Sequence, residues 1–350
     1  MARCRPRVRL ARLNREIIIA GGGLAGLSLG IALRDRQLPV TILEAGTYPR
    51  HRVCGEFISG VSDTTLSRLG ILPLFDTAHR HQTLIWHERG KIIHRDRLRE
   101  PAIGISRHEL DERLRTHFEA LGGVLKTGVR SRPEPAEGFV WAAGRRPQTG
   151  QWIGLKAHVR GIPMDADLEM HAGSNGYAGL AGVEDGWTNV CGLFKIDRAL
   201  PAKGPELLAA YLDTGGNPKL ATQLRDAEWR DDSFSAVAGF ELGRQPAVRG
   251  LLCLGDAESM IPPFTGNGMS MAFQAAEAAV GPLEAWSHGS ATWETTCHAI
   301  SSDLKKRFRR RLSTALFLHR VLLSDRGRTL LQTLSAARLL PFRPVLSLVR

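Results

Sequence analysis

Three groups of residues have the types and spacing to act on a ligand together. The first is Gly21-Gly22-Gly23-Leu24-Ala25-Gly26, a Gly-x-Gly-x-x-Gly run placed directly after the apolar residues Ile17-Ile18-Ile19-Ala20. A second apolar run, Val40 to Leu43, ends on Glu44 and Ala45. That order suits a dinucleotide. Gly21 permits a tight strand-to-helix turn, Gly23 lets the backbone approach a pyrophosphate, and Gly26 lets helix and strand pack closely. The helix start around Leu24 and Ala25 attracts phosphate, and Glu44 can accept hydrogen bonds from a ribose.

The second group lies far along the chain, in Gly255-Asp256-Ala257-Glu258-Ser259-Met260-Ile261-Pro262-Pro263-Phe264-Thr265-Gly266-Asn267-Gly268-Met269-Ser270. A short apolar strand, Leu251 to Leu254, leads into Gly255 and Asp256, and a proline turn leads into a helix. Asp256 can bind sugar hydroxyls. The N–H groups of Gly266, Asn267, Gly268 and Met269 make a positive helix start that would stabilise the anionic pyrimidine edge of a reduced flavin. The cofactor expected is therefore FAD. The third group is less specific: Cys54 in the loop around Arg52, and Lys156 and His158 on a strand whose alternation puts them on one face. Lys156, His158 and Tyr177 are candidates for the substrate wall, Cys54 is a candidate to tune or attach the cofactor, and Pro263 is a further catalytic candidate.

These residues need elements to hold them. A strand at 16–20, a helix at 24–35 and a strand at 39–44 form an opening βαβ unit. A loop follows at 48–60, then a helix at 62–69. Residues 83–88 and 91–94 flank Arg89-Gly90 as a hairpin. Ser106 caps a helix at 107–121, closed by Gly122-Gly123, and strands at 123–129 and 138–142 return to the sheet. From 151 to 195 short strands separated by Gly, Asn and Asp-Gly turns suit an inserted sheet. Helices are expected at 204–213, 218–228 and 267–279.

With those motifs in place, the chain resembles FAD-dependent oxidoreductases of the p-hydroxybenzoate hydroxylase superfamily, and within it the geranylgeranyl-reductase-like branch. The resemblance rests on Gly21–Gly26 with Glu44, on Arg52-Val53-Cys54-Gly55-Glu56, on the Gly255–Ser270 block, and on Ser106-Arg107-His108-Glu109-Leu110-Asp111. It implies an arginine, Arg107, that reaches the cofactor, and NAD(P)H as electron donor. Two positions depart from the hydroxylases of that superfamily. Ala143 stands where their Asp would fall, and Ser259 where their Gly-Asp-Ala-Ala-His has histidine. The Trp-x-Trp-x-Ile-Pro signature of flavin halogenases is absent.

The net charge of +12 sits at the two ends. Residues 1–15 carry six arginines and no acid, and residues 301–350 carry twelve Lys or Arg against Asp303 and Asp325. The body between is net acidic, so the basic balance does not mark a nucleic-acid binder. Leu304, Phe308, Leu312, Ala315 and Leu316 recur at helical spacing among the basic residues. They predict helices packed on the FAD domain with a solvated basic face, and they raise peripheral contact with an anionic membrane. Five scattered cysteines with no C-x-x-C pair point to a cytoplasmic setting. No local spacing of His, Cys or carboxylates makes a metal site, and none is expected.

The expected architecture is α/β. A Rossmann-like FAD-binding domain is assembled from 16–75, 100–150 and 245–300, with an inserted mixed β-sheet substrate domain from 76–99 and 151–244. A basic tail precedes it at 1–15, and basic C-terminal helices follow at 301–350. The function expected is monooxygenation of a small aromatic or polyketide-like molecule. Reduction of isoprenoid double bonds and a non-catalytic FAD-binding scaffold are the rival readings.

Overall fold

The computed structural model describes residues 14–145, 148–337, 339 and 341–349. The first thirteen residues of the expected basic tail lie outside that range.

The opening unit forms as its pattern requires. The β-branched run Ile17–Ala20 makes the central strand of a five-stranded parallel sheet. It pairs with Val40–Leu43 on one side, in the register Ile17↔Val40 to Ala20↔Leu43, and with Phe139–Trp141 on the other. Strands Val124–Lys126 and Leu252–Cys253 complete the two edges. Between the first two strands runs the helix Leu24–Arg34, buried from Leu24 through Leu33. Such complete burial explains why its sequence is apolar all round rather than striped.

The helix Gly268–Ser287 packs on that opening helix and carries eight further residues beyond the small-residue stretch ending at Ala279. Pro282 lies inside it. Ala272, Ala275, Ala276 and Ala279 are buried at this contact face, where small side chains allow close approach.

The inserted part is a nine-stranded sheet. Its long hairpin, His79–Glu88 with Lys91–Gly104, turns at Arg89 and Gly90, both with positive φ. Both strands extend well beyond the predicted limits of the hairpin. Strands Trp152–Arg160, Leu168–Ala172, Gly176–Gly182 and Thr188–Lys195 follow, and Phe57–Ile58, inside the predicted loop, adds to the hairpin. One face of this sheet is covered by the helices Glu206–Thr214 and Pro218–Asp226, through Leu155, Ala157, Val159, Ala178 and Leu180. The alternate residues face the parallel-sheet half of the molecule.

The C-terminal segment is dominated by one helix, Trp293–Leu323. Its apolar stripe, Ile300, Leu304, Phe308, Leu312, Ala315 and Leu322, is buried, while Lys305, Lys306, Arg309 and Arg310 are exposed. The stripe is thus committed to packing within the protein. Among the described residues no helix is long and apolar enough to cross a membrane.

Candidate active site

The three glycines of the opening motif meet different surroundings. Gly21 has φ +109, and a Cβ there would lie 2.3 Å from the Ala142 carbonyl oxygen of the neighbouring strand. A Cβ on Gly26 would lie 1.9 Å from the Gly21 carbonyl oxygen, so helix and strand touch backbone to backbone. Gly23 differs. Nothing lies closer to its Cβ position than Arg107 Nη2, at 3.8 Å. Internal packing explains Gly21 and Gly26; at Gly23 the protein leaves open space at a helix start with no side-chain cap. Uncapped helix N–H groups beside open backbone fit a pyrophosphate.

Glu44 closes the second strand. Its carboxylate accepts from the Gly22 N–H at 2.7 Å, the Gly46 N–H at 2.8 Å and Arg50 Nη2 at 2.6 Å. Burial alone would raise its pKa; the two backbone donors together with Arg52 and Arg50 outweigh that and hold the carboxyl below its ordinary value. The Tyr48 hydroxyl donates to the Gly22 carbonyl, fixing the turn from above. Ala45, next in sequence, is exposed.

Arg107 is the hub of the site. It starts the helix Arg107–Ala120, capped by the Ser106 side chain, which accepts from the Glu109 N–H. Its guanidinium forks onto Asp111, Nε to Oδ1 at 2.7 Å and Nη2 to Oδ2 at 2.8 Å. Burial opposes the charge, yet the Asp111 pair more than offsets it and the guanidinium stays charged. Arg52 Nε donates to the same carboxylate at 2.9 Å, and its Nη2, buried without a hydrogen-bond partner, lies 3.8 Å from Glu44 Oε2. Gly23, Arg107, Cys54 and Asp256 thus converge from four separate parts of the chain.

Asp256 has exposed surface, yet protein packed around its carboxyl partly desolvates it. That enclosure raises its carboxyl pKa, and Arg107 and Arg145 pull it back. A Cβ on Gly255 before it, which sits at φ +62, would lie 3.2 Å from the Ala25 methyl at the opening helix. Burial pushes the Cys54 thiol up, so the thiol form is favoured over the nucleophilic thiolate.

The second helix start is built as anticipated. Gly266 adopts φ +64, where a Cβ would strike the Phe57 ring. Asn267 precedes the helix with no side-chain cap; its Nδ2 donates to the Thr265 carbonyl, while its Oδ1 is buried without a partner. Gly268 and Met269 open the helix, and Pro263 is exposed just before it. Donors left uncapped beside an exposed proline fit the pyrimidine edge of a flavin.

Lys156 and His158 share a face, as strand alternation predicts, and both are fully buried. They meet Glu56: His158 Nε2 lies 2.5 Å from Oε2 and Lys156 Nζ lies 3.2 Å from Oε1. Lys156 also donates to His51 Nδ1 at 2.9 Å. Burial would raise the Glu56 pKa, but the His158 hydrogen bond and the Lys156 charge hold it low. Glu56 itself sits at φ +55, a costly conformation for a side-chain residue, held by these contacts. Lys156 and His158 therefore clamp the Arg52–Glu56 loop; Asn189 Nδ2 adds a hydrogen bond to the Cys54 carbonyl at 3.0 Å.

Tyr177 faces the proline turn and the long C-terminal helix. Its ring meets Phe264 edge-on at 5.9 Å and His319 at 5.8 Å, and its hydroxyl is 3.5 Å from His319 Nδ1. Trp86 meets Phe264, and Trp152 meets His319. Sequence reasoning missed His319, Phe264, Trp86 and Trp152. His319 falls on the same stripe as Leu312 and Ala315, which was the available signal.

No family model and no curated protein matches this chain. Solved structures do. The flavin-dependent brominase Bmp2 superposes with a TM-score of 0.75 at 17% identity, over 96% of this chain and 93% of that one. PqsL of Pseudomonas aeruginosa, described as a probable FAD-dependent monooxygenase, gives 0.70 at 15% identity, over 91% and 99%. HpxO of Klebsiella pneumoniae, solved with FAD and uric acid, gives 0.73 at 14% identity, over 97% and 98%. The fold is therefore the one seen in flavin-dependent monooxygenases, with its Rossmann-like half and its sheet-based half.

Proposed function

We propose that the protein is an FAD-dependent monooxygenase acting on a small aromatic or polyketide-like molecule. The observation that carries this reading is the opening at Gly23, faced by Arg107 and Asp256 and flanked by two uncapped helix starts. Gly23, Leu24 and Ala25 would hold the pyrophosphate, Glu44 the adenosine ribose and Asp256 the ribityl chain. Gly266 to Met269 would face the pyrimidine edge. When bound, FAD supplies two-electron chemistry and, once reduced, activates dioxygen. The net reaction takes one substrate C–H, O2, two electrons and two protons to C–OH and water.

The chain's own residues would position the substrate and keep water out. The aromatic cluster of buried Tyr177 and His319 with the half-buried Phe264, Trp86 and Trp152 supports an aromatic substrate, since ring edges and faces pack favourably. Nε2 of His319 is buried without a hydrogen-bond partner, and we assign it to a hydroxyl or amine of the substrate. His319→Gln should lower kcat/KM by about 10- to 100-fold, the range of a lost buried hydrogen bond, while leaving bound flavin unchanged. Unaltered turnover in that variant would remove His319 from the site.

NAD(P)H is the proposed donor, with Ala143 a departure that makes the choice of donor an experimental question. The geranylgeranyl-reductase-like loop around Cys54 supports a second reading, reduction of an isoprenoid double bond. Oxygen uptake that rises with an added phenol favours the first reading. Anaerobic turnover of a prenyl substrate favours the second. The likeness to a brominase adds one control, bromide, which the absent Trp-x-Trp-x-Ile-Pro signature predicts to have no effect.

A further inference from the structure

A second cluster lies on the other face of the substrate sheet. His87 is the register partner of His171, where strand His79–Glu88 runs parallel to Leu168–Ala172. Glu169, two residues before His171, falls on the same face. On the next strand the partners of His171 and Glu169 are Ala178 and Leu180, which pack under the covering helices. Trp86 and Met170, the alternate residues, belong instead to the core shared with Phe264. The cluster is therefore separate from the proposed flavin site.

We propose that His87, Glu169 and His171 bind a zinc ion that staples these two strands. The three are 8%, 6% and 8% exposed. One ligand atom from each lies within 4.8 Å of the others. His171 Nε2 and Glu169 Oε2 are hydrogen-bonded at 3.0 Å, and they need to separate only to about 3.4 Å to share one tetrahedral ion with bonds of about 2.1 Å. The His87 ring stacks on His171 with centroids 4.2 Å apart. Among the described residues its Nδ1 is buried without a hydrogen-bond partner.

The surrounding groups suit this. The Asp165 N–H donates to Glu169 Oε1 at 2.6 Å, orienting the carboxylate and leaving its other oxygen toward His171. The Asp165 carboxylate adds negative charge nearby, while Arg95, on the adjoining strand opposite Ile85, is the opposing cation. Two imidazoles and one carboxylate favour zinc over magnesium or calcium, which prefer oxygen ligands. Strands His79–Glu88 and Leu168–Ala172 are the only parallel neighbours among the described strands of this sheet, and parallel pairing is slightly weaker per residue. Three protein ligands leave the fourth position to a water, and the role assigned is to hold the two strands together.

The test uses the full-length flavin-loaded protein, stripped with EDTA and titrated with zinc by calorimetry and with cobalt(II) by visible absorbance. Stoichiometric binding is expected, with d–d bands of a nitrogen–oxygen site and a raised melting temperature. Glu169→Gln, which keeps the side-chain shape, and His171→Ala should each weaken binding by more than about 100-fold, since even outer-shell changes cost 10- to 100-fold. The exposed His288→Ala should bind as the native protein does. Far-UV circular dichroism reports folding in every variant, whether or not flavin is bound. Failure of the folded native protein to bind either metal overturns the proposal, and so does undiminished binding by folded Glu169→Gln.

Discussion

His158 Nε2 and Glu56 Oε2 meet at 2.5 Å, joining the loop that follows the opening βαβ unit to a central strand of the inserted sheet. Both side chains are fully buried, and Lys156 completes the group. The contact fixes the loop that carries Arg52 and Cys54 against the sheet that carries Tyr177. The parallel-sheet half and the inserted sheet are thereby held together.

Removing one partner should be expensive. Glu56→Gln leaves Lys156 buried without its counter-charge, and a broken buried pair costs about 3–5 kcal/mol. Replacing Glu56, Lys156 and His158 together by leucine or methionine should recover much of that loss. Denaturant unfolding of the single and triple variants checks both statements.

The two glycines Gly23 and Gly26 should separate flavin binding from folding. Gly26→Ala drives a methyl into the Gly21 carbonyl and should cost about 1–3 kcal/mol as overpacking. Gly23→Ala meets only open space in the protein, so its melting temperature without flavin should match the native value. Its flavin content after purification should fall. Equal flavin content in native protein and Gly23→Ala would contradict the assignment of that opening to the cofactor.

Stability should fall in mild acid. Burial, with the neighbouring Lys156, His158 and His108, lowers His51 from 6.5 to about 3, against a pull from Glu56. Asp232 stands 3.7 Å from its other nitrogen. Burial, with Arg320, lowers His319 to about 4. Between these values and 6.5 the unfolded chain binds more protons than the folded one, so stability is complete above about 6.5 and is lost as pH falls toward 3–4. Depressed carboxyls at Glu44 and Glu56 act in the same direction, lower still. Melting temperatures across pH 4–8 read the slope; a flat profile contradicts it.

The basic C-terminal segment offers charge to a membrane more than apolar surface. Its main helix spends its leucines on packing, leaving Phe317 exposed there and Leu330 and Leu339 beyond. Any membrane contact through residues 301–350 is therefore proposed to be electrostatic. Co-sedimentation with anionic vesicles should occur at low salt and vanish at high salt. No binding at low salt rules the contact out.

Much of the parallel-sheet half was legible from the chain, because a buried strand, a glycine triplet and a helix start are local in sequence. The turn at Gly255–Asp256 and the helix start at Gly268 were legible for the same reason. What escaped was what only the sheet brings together. Glu56 was read as part of a loop, and nothing in its spacing shows that His158 and Lys156 would reach it. His319 sits on a helix stripe that serves equally as core, so its place beside Tyr177 depends on how that helix crosses the sheet. His87 and His171 become neighbours through strand register alone, which local ligand spacing does not register. The expectation of no metal site rested on that local spacing.

The most direct test of the account is the visible spectrum of the purified protein before reduction, after anaerobic reduction, and after air is admitted. The account predicts stoichiometric bound FAD, bleached on reduction and restored by oxygen, with oxygen uptake that rises when an aromatic substrate is present. A folded protein that is colourless and takes up no added FAD would contradict it.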